Sequence, residues 1–279
     1  MTARLLDGKL VAAHYRHQLI QQLQQTERAP GLAVILVGDD AASTVYVNHK
    51  RKACESLGFY SEAYFLPTIT TETELLKLID TLNQSDIIDG ILVQLPLPAH
   101  IEKQRVIERI HPDKDVDGFH PYNFGRLAQG HPALRPCTPY GIMKLLEYYD
   151  LSVAGKNSVI IGSSTIVGRP MALELIHAKA TPTVCHRATQ NLKEHVERAD
   201  LVIVAAGQQD VVDVTWLKPH QIVIDVGIHR LDDGRLRGDV DFHAANEIVA
   251  WLTPVPFGIG PMTICMLLHN TVQAYLKLK

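Results

Sequence analysis

Apolar residues recur along the chain in two rhythms. Short unbroken runs closed by glycine or proline alternate with stretches whose apolar positions return every three or four residues. GLAVILVG (31–38) is the first such run and predicts a buried strand. A helix is predicted over about 43–57 and a strand near 59–66. TETELLKLIDTLNQ (71–84) has helical spacing, and IDGILVQLPLP (88–98) is a strand halted by prolines. Such alternation predicts a mostly parallel sheet flanked by helices.

The rhythm breaks at 111–139, a segment rich in Pro, Gly, His and Asp that reads as a crossing between domains carrying cleft-lining residues. It then resumes. NSVIIG (157–162), TPTVCHR (181–187), ADLVIVAAG (199–207) and HQIVIDVG (220–227) are strands, with helices at IVGRPMALELIHA and near 191–198. Four strands with helices between them predict a doubly wound, Rossmann-like sheet. A last helix over about 263–277 follows TPVPFGIGPM. A length of 279 residues exceeds the usual single core, so two domains are expected. These are an N-terminal α/β domain over 1–119 and a nucleotide domain over 120–262, with the terminal helix (about 263–279) packing back on the first.

Composition narrows the partners. A net charge of −3 leaves no basic field for a nucleic-acid backbone, and no apolar run suffices to span a bilayer. Cys54, Cys137, Cys185 and Cys265 form no CxxC pair, so neither a disulfide framework nor a zinc site is suggested. His14 and His17 lie three apart on a predicted helix without a third ligand, which favours polar surface over a metal site. The expectation is a reduced, cytoplasmic protein with no metal.

Two stretches carry candidate chemistry. STVYVNHKRKAC (43–54) sets Tyr46 one helical turn before Lys50, with Arg51 and Lys52 alongside. Spacing alone fits either a solvated basic face or a lysine tuned for proton work. IIGSSTIVGRP places Gly162 at a strand end and Gly168 near a helix start, a turn that lets backbone N–H groups approach a pyrophosphate. Its spacing departs from G-x-G-x-x-G, and a tight packing turn remains open. The next strand ends in His186 and Arg187 where an NAD site usually has a carboxylate. A guanidinium there suits a 2′-phosphate, favouring NADP over NAD; the alternative is a surface arginine.

YVNHKRKAC, GILVQLPLP, PDKDVDGFH, RPCTPYGI, GSSTIVGRP, DVGI and TPVPFGIGPMT occur in this order. Together they resemble the bifunctional methylenetetrahydrofolate dehydrogenase/methenyltetrahydrofolate cyclohydrolase family, over roughly Leu5 to Thr271. The resemblance implies two α/β domains with folate between them and a homodimer paired through the nucleotide domain. It also implies hydride transfer from methylene-tetrahydrofolate to NADP⁺, then hydrolysis to 10-formyl-tetrahydrofolate, in one-carbon metabolism that feeds purine biosynthesis. Rival readings are a dehydrogenase without cyclohydrolase and a non-catalytic nucleotide sensor.

By the same resemblance the catalytic group is Lys50, with Tyr46 beside it, Gln94 from VQLPLP within hydrogen-bonding reach, and Asp117 of DVDG gripping the pterin's amino-pyrimidine edge. Like charge on Arg51 and Lys52, and burial, are expected to act on Lys50, and Tyr46 is expected to aim its amine by a hydrogen bond. Asp115 reads as a turn residue. Val93, Leu95 and the loop Pro256, Phe257, Gly258, Ile259 and Gly260 border the substrate; Gly162, Ser163, Ser164, Ile166, Gly168, Arg187 and Ile228 meet the cofactor. The chain departs from the family where Phe257 replaces glycine, Ser163 replaces a frequent arginine, Arg187 a frequent serine and His229 the usual asparagine. The Ser163 and Arg187 changes move the positive charge from loop to strand end. His229 has no explanation at the level of sequence.

Overall fold

The computed structural model describes residues 2–24 and 26–278. Strands are β1 (Arg4–Leu5), β2 (Gly31–Val37), β3 (Tyr60–Leu66), β4 (Gly90–Val93), β5 (Asn157–Ile161), β6 (Thr181–Cys185), β7 (Leu201–Val204), β8 (Ile222–Asp225), β9 (His229–Arg230), β10 (Leu236–Arg237) and β11 (Trp251–Leu252). Helices are α1 (Gly8–Leu23), α2 (Ala41–Ser56), α3 (Glu72–Asn83), α4 (Lys103–Arg109), α5 (Pro121–Ala128), α6 (Cys137–Tyr148), α7 (Gly168–His177), α8 (Leu192–Glu197), α9 (Phe242–Asn246) and α10 (Ile259–Leu278).

Packing divides the chain into two compact units. One contains Tyr15–Cys137 and the chain from Ile264 onward; the other contains the residues up to His14 and Thr138–Thr263. This differs from a boundary at 119/120. The first residues leave the N-terminal unit because β1 pairs in parallel with β11 and extends the other unit's sheet. Residues 120–137 stay because Asp115 accepts hydrogen bonds from the Phe119 and His120 amides and from Asn123 Nδ2. Asn270, on the returning part of α10, binds the Val116 and Arg135 carbonyls.

The unit built on Tyr15–Cys137 has a three-stranded parallel sheet, ordered β3-β2-β4. Every residue of β2 is buried, which explains its apolar run. α3 buries Leu75, Ile79 and Leu82, and each such side chain contributes about 2 kcal/mol. Thr71 and Glu74 close a capping box at its start. α2 starts at Asp40, whose carboxylate accepts from the Ser43 amide at 2.7 Å.

The other unit has a six-stranded parallel sheet, ordered β1-β11-β8-β7-β5-β6. Four predicted strands are its centre and one edge; β11 and β1 add two short strands beyond β8. The expected helix between β7 and β8 is a 3-10 turn, Val214–Trp216, because Pro219 follows it closely and can donate no backbone bond. The final helix begins at Ile259 rather than 263, since Pro261 falls in a first turn where its missing N–H costs nothing.

Candidate functional site

In the first unit, α2 carries Tyr46 and Lys50 on one face. Lys50 is 8% exposed, and its Nζ donates to Gln94 Oε1 at 3.0 Å. Gln94 is aimed from both ends: its amide donates to the Ile35 carbonyl, and Nε2 donates to the Leu95 carbonyl, each at 2.8 Å. An acceptor oxygen is therefore held toward the ammonium.

The neighbours of that ammonium differ from those expected. Arg51 turns to Glu55 at 3.4 Å and Lys52 is exposed, so the crowding cations lie on the outer face. Tyr46 is half-buried, and burial raises its phenol pKa. Among the described residues its hydroxyl makes no hydrogen bond to Lys50; the aiming group is Gln94.

Asp117 completes the cluster. Water still reaches part of its surface, but protein encloses most of it. That desolvation lifts the carboxyl pKa to about 6, with Asp115's charge adding to the rise and Lys50's opposing it. Val93, Leu95, Asp117 and Phe119 line a narrow pocket. Asp115 is itself buried and spends its oxygens on α5, a positioning role. Cys137 also belongs to this neighbourhood, although its sequence context suggested only an unpaired thiol. Its Sγ donates to the Val116 carbonyl, and burial together with Asp117 raises its pKa well above the ordinary thiol value.

In the second unit, the turn from β5 into α7 is tight. A Cβ on Gly162 would lie 2.1 Å from the Ala205 carbonyl oxygen, and one on Gly168 would lie 1.9 Å from the Gly162 carbonyl oxygen. Only glycine permits this approach, and the helix N-terminus it opens is suited to an anion. Ser164 Oγ accepts from the Val167 amide at 3.1 Å.

A cavity of about 680 Å³ lies along this turn, lined by Gly162, Ser163, Ser164, Arg187 and Ala206 among others. Thr189 Oγ1 accepts from the His186 amide, and the Thr189 amide donates back to the His186 carbonyl. That closed turn presents Arg187 at its tip. Its guanidinium is exposed and has no hydrogen-bond or ion-pair partner among the described residues. Ile166 lies in the same turn, half-buried, and Ile228 follows β8 with much of its side chain exposed. Ser163 and Arg187 both line this cavity, and the free guanidinium comes from the strand end.

Pro256–Gly260 forms the entry to α10. Phe257 has φ +83°, a left-handed conformation that strains any side chain, and the residue is 55% exposed. The conformation is held because the Lys9 amide donates to the Phe257 carbonyl at 3.0 Å, while Lys9 Nζ sits 5.4 Å from the ring centroid. Phe257→Gly releases about 1–3 kcal/mol of strain and adds about 0.4–1 kcal/mol of unfolded-state freedom. The expected result is a rise of roughly 2–4 °C in Tm by scanning calorimetry. A fall would show that ring contacts outweigh the strain.

The sheets, the glycine turn and the sheltered lysine define a class: a two-domain α/β protein with an NAD(P)-type nucleotide unit. Residues 6–117 match the family model "Tetrahydrofolate dehydrogenase/cyclohydrolase, catalytic domain", and residues 136–279 match its NAD(P)-binding domain. The chain belongs to the tetrahydrofolate dehydrogenase/cyclohydrolase family. It is 58% identical to a "Bifunctional protein FolD" from Legionella pneumophila (strain Corby), covering all of both chains. Among solved structures it resembles a Campylobacter jejuni FolD methylenetetrahydrofolate dehydrogenase/cyclohydrolase, with TM-score 0.96, 49% identity and coverage of 99% of this chain and 100% of the other. It also resembles a Trypanosoma brucei enzyme of the same kind, complexed with NADP and inhibitor. There the TM-score is 0.95 and identity 36%, covering 100% of this chain and 99% of that one.

Proposed function

We propose that this chain carries out both family reactions in turn. It is a bifunctional one-carbon enzyme: 5,10-methylene-tetrahydrofolate is oxidised with NADP⁺ to the 5,10-methenyl cation, which is hydrolysed to 10-formyl-tetrahydrofolate. The observation that carries this reading is the sheltered ammonium of Lys50, held by Gln94 and opposed by the charge of Asp117. A proton group so arranged serves the hydrolytic step, which hydride transfer alone or nucleotide sensing alone does not include.

Hydrolysis adds water to the methenyl cation: one water proton is released to solvent, and the other passes from the oxygen, which becomes the formyl carbonyl, to N5 as the C–N5 bond breaks. Lys50 Nζ is the group that exchanges this proton, because its long stem reaches in from α2 while Gln94 fixes its end. Asp117 accepts two parallel N–H bonds from the pterin's amino-pyrimidine edge. Tyr46 lends a half-buried phenol to the same face. Val93 and Leu95 form apolar wall.

The residues around the large cavity fit a dinucleotide. When bound, NADP⁺ supplies the hydride acceptor. Gly162 and Gly168 allow the backbone of Ser163, Ser164 and Ile166 to approach a pyrophosphate, Ile228 adds an apolar contact, and Arg187 offers its unpaired donors to the 2′-phosphate. Loss of such a charge-assisted pair costs about 1.5–3 kcal/mol. Arg187→Ala is therefore expected to raise KM for NADP⁺ by roughly 10–100-fold while leaving KM for NAD⁺ nearly unchanged. Equal changes in initial-rate measurements would count against the assignment.

We further infer a homodimer paired through the nucleotide unit, a cytoplasmic location and a product consumed in purine biosynthesis. Four buried cysteines without disulfides support a reducing compartment, and no helix among the described residues is long and apolar enough to cross a membrane. The function is tested by mixing purified protein with methylene-tetrahydrofolate and NADP⁺. Methenyl absorbance is expected to rise and then decay at an enzyme-dependent rate. Accumulation with only solvent-rate decay would leave a dehydrogenase alone, and no turnover would leave a sensor.

A further inference from the structure

Behind the nucleotide cavity, two loops are tied together by one carboxylate. Asp239 has a side chain with no exposed surface. Its Oδ2 accepts from the Ala206 and Gly207 amides, at 2.8 and 2.9 Å, in the loop after β7. Its Oδ1 meets His229 Nε2 at 2.7 Å, just past the segment that follows β8. A carboxylate only accepts, so Nε2 carries the hydrogen of this bond. The geometry has a local cause: the antiparallel β9–β10 hairpin sets Arg237 opposite His229, and Asp239, two residues on, returns beside the ring.

The knot is reinforced from below. Asp225, also buried, accepts from the Gly227, Asp239 and Val240 amides at 2.9, 3.0 and 2.9 Å. The Asp239 carbonyl accepts from the Asp210 amide at 2.8 Å. A Cβ on Gly227 would stand 2.3 Å from Asp239 Oδ1, so the two loops touch closely. Ala205 and Ala206 line the cavity, and Ile228 lies between the gripped Gly227 and the gripping His229. His229 is thus one of three partners that share a buried carboxylate, and it is the side chain among them.

We propose that His229 is a positioning residue for the dehydrogenase step: by donating to Asp239 it locks the Ala206–Gly207 and Gly227–Ile228 backbones in the arrangement that receives the dinucleotide. The proposal rests on the dinucleotide reading of the cavity. An asparagine amide at this position would supply an N–H donor to the same carboxylate. Without the donor, Oδ1 is left buried with one partner fewer and the loops lose a shared restraint.

The test uses His229→Leu, which keeps much of the ring's volume without a donor, and His229→Asn, which keeps a donor. Both full-length proteins are assayed for NADP⁺ affinity by fluorescence titration, for dehydrogenase kcat and KM, and for hydrolysis of methenyl-tetrahydrofolate without nucleotide. His229→Leu is expected to weaken NADP⁺ about tenfold while hydrolysis stays within twofold of wild type, and His229→Asn is expected to recover most of the loss. An unchanged NADP⁺ constant in a folded His229→Leu protein overturns the proposal. So does a parallel fall in hydrolysis, which marks a general structural defect, or a His229→Asn protein as weak as His229→Leu. Failure of the wild type to bind NADP⁺ would overturn the dinucleotide reading itself, and the proposal with it.

Discussion

Lys50→Met is expected to lower methenyl-tetrahydrofolate hydrolysis by about a thousandfold or more, within the range that a positioned proton group contributes. Methionine keeps an unbranched stem of similar reach on α2 and removes the ammonium. Two structural effects then oppose each other. Gln94 Oε1 loses its donor at 3.0 Å, which costs about 1–3 kcal/mol if the oxygen stays dry. The desolvation of a nearly buried ammonium is also removed, and that is a gain of similar order. Tm should therefore move by only a few degrees, and circular dichroism should stay that of the wild type. A secondary effect reaches Asp117, whose pKa Lys50 holds down; without that charge the carboxyl rises above about 6. The measurement is decay of methenyl absorbance at neutral pH above the solvent rate. Hydrolysis at the wild-type rate by a folded Lys50→Met protein would remove Lys50 from the chemistry.

How far these features were legible depends on whether their causes are local. β2 and β7 are unbroken apolar runs, and β5 and β8 contain such runs at Val159–Ile161 and Ile222–Ile224, because both faces of a parallel strand are covered, and that property is written in consecutive residues. β1 is the opposite case. Arg4 and Leu5 are exposed and form a strand only because Trp251 and Leu252 lie beside them, a partner at the far end of the chain. α5 had a readable start, with Pro121 at its first turn and His120 capping the Tyr122 amide, but the surrounding Pro and Gly concealed it.

The site follows the same division. A helix places Tyr46 and Lys50 on one face by arithmetic, whereas Gln94 reaches Lys50 through the pairing of β2 with β4. The turn glycines showed themselves by context, since a strand, a bend and a helix surround them. The His229–Asp239 bond gave no such sign: it needs the β9–β10 hairpin to fold two short stretches together. Phe257 is a residue whose side chain conflicts with its own backbone, and its positive φ exists only in the folded chain.

Folate affinity is expected to strengthen with rising pH because of Asp117. Its carboxyl pKa is lifted from the ordinary value of 3.8 to about 6, so near pH 5 the free enzyme holds it mostly neutral and near pH 7.5 mostly charged. Two N–H donors from an amino-pyrimidine edge bind the charged form better. Affinity for a folate analogue that does not itself titrate in this range should thus rise about tenfold between pH 5 and 7.5, as the charged fraction does. Stability runs the other way. The folded state binds this proton more tightly than the unfolded chain, so its contribution is fully present below about pH 4 and is lost as pH rises through about 6. Asp225, also lifted to about 6 by burial, acts in the same direction. Asp117→Asn separates the two effects. The amide cannot charge and turns one N–H group toward the ligand's own donors, so affinity at pH 7.5 should fall about a hundredfold and its pH dependence should flatten. The ligand-free variant should lose less melting temperature between pH 4 and 6 than the wild type does. Calorimetric titration of both proteins at three pH values decides the matter, and a wild-type affinity that is flat across them would mean the carboxylate does not hold the pterin.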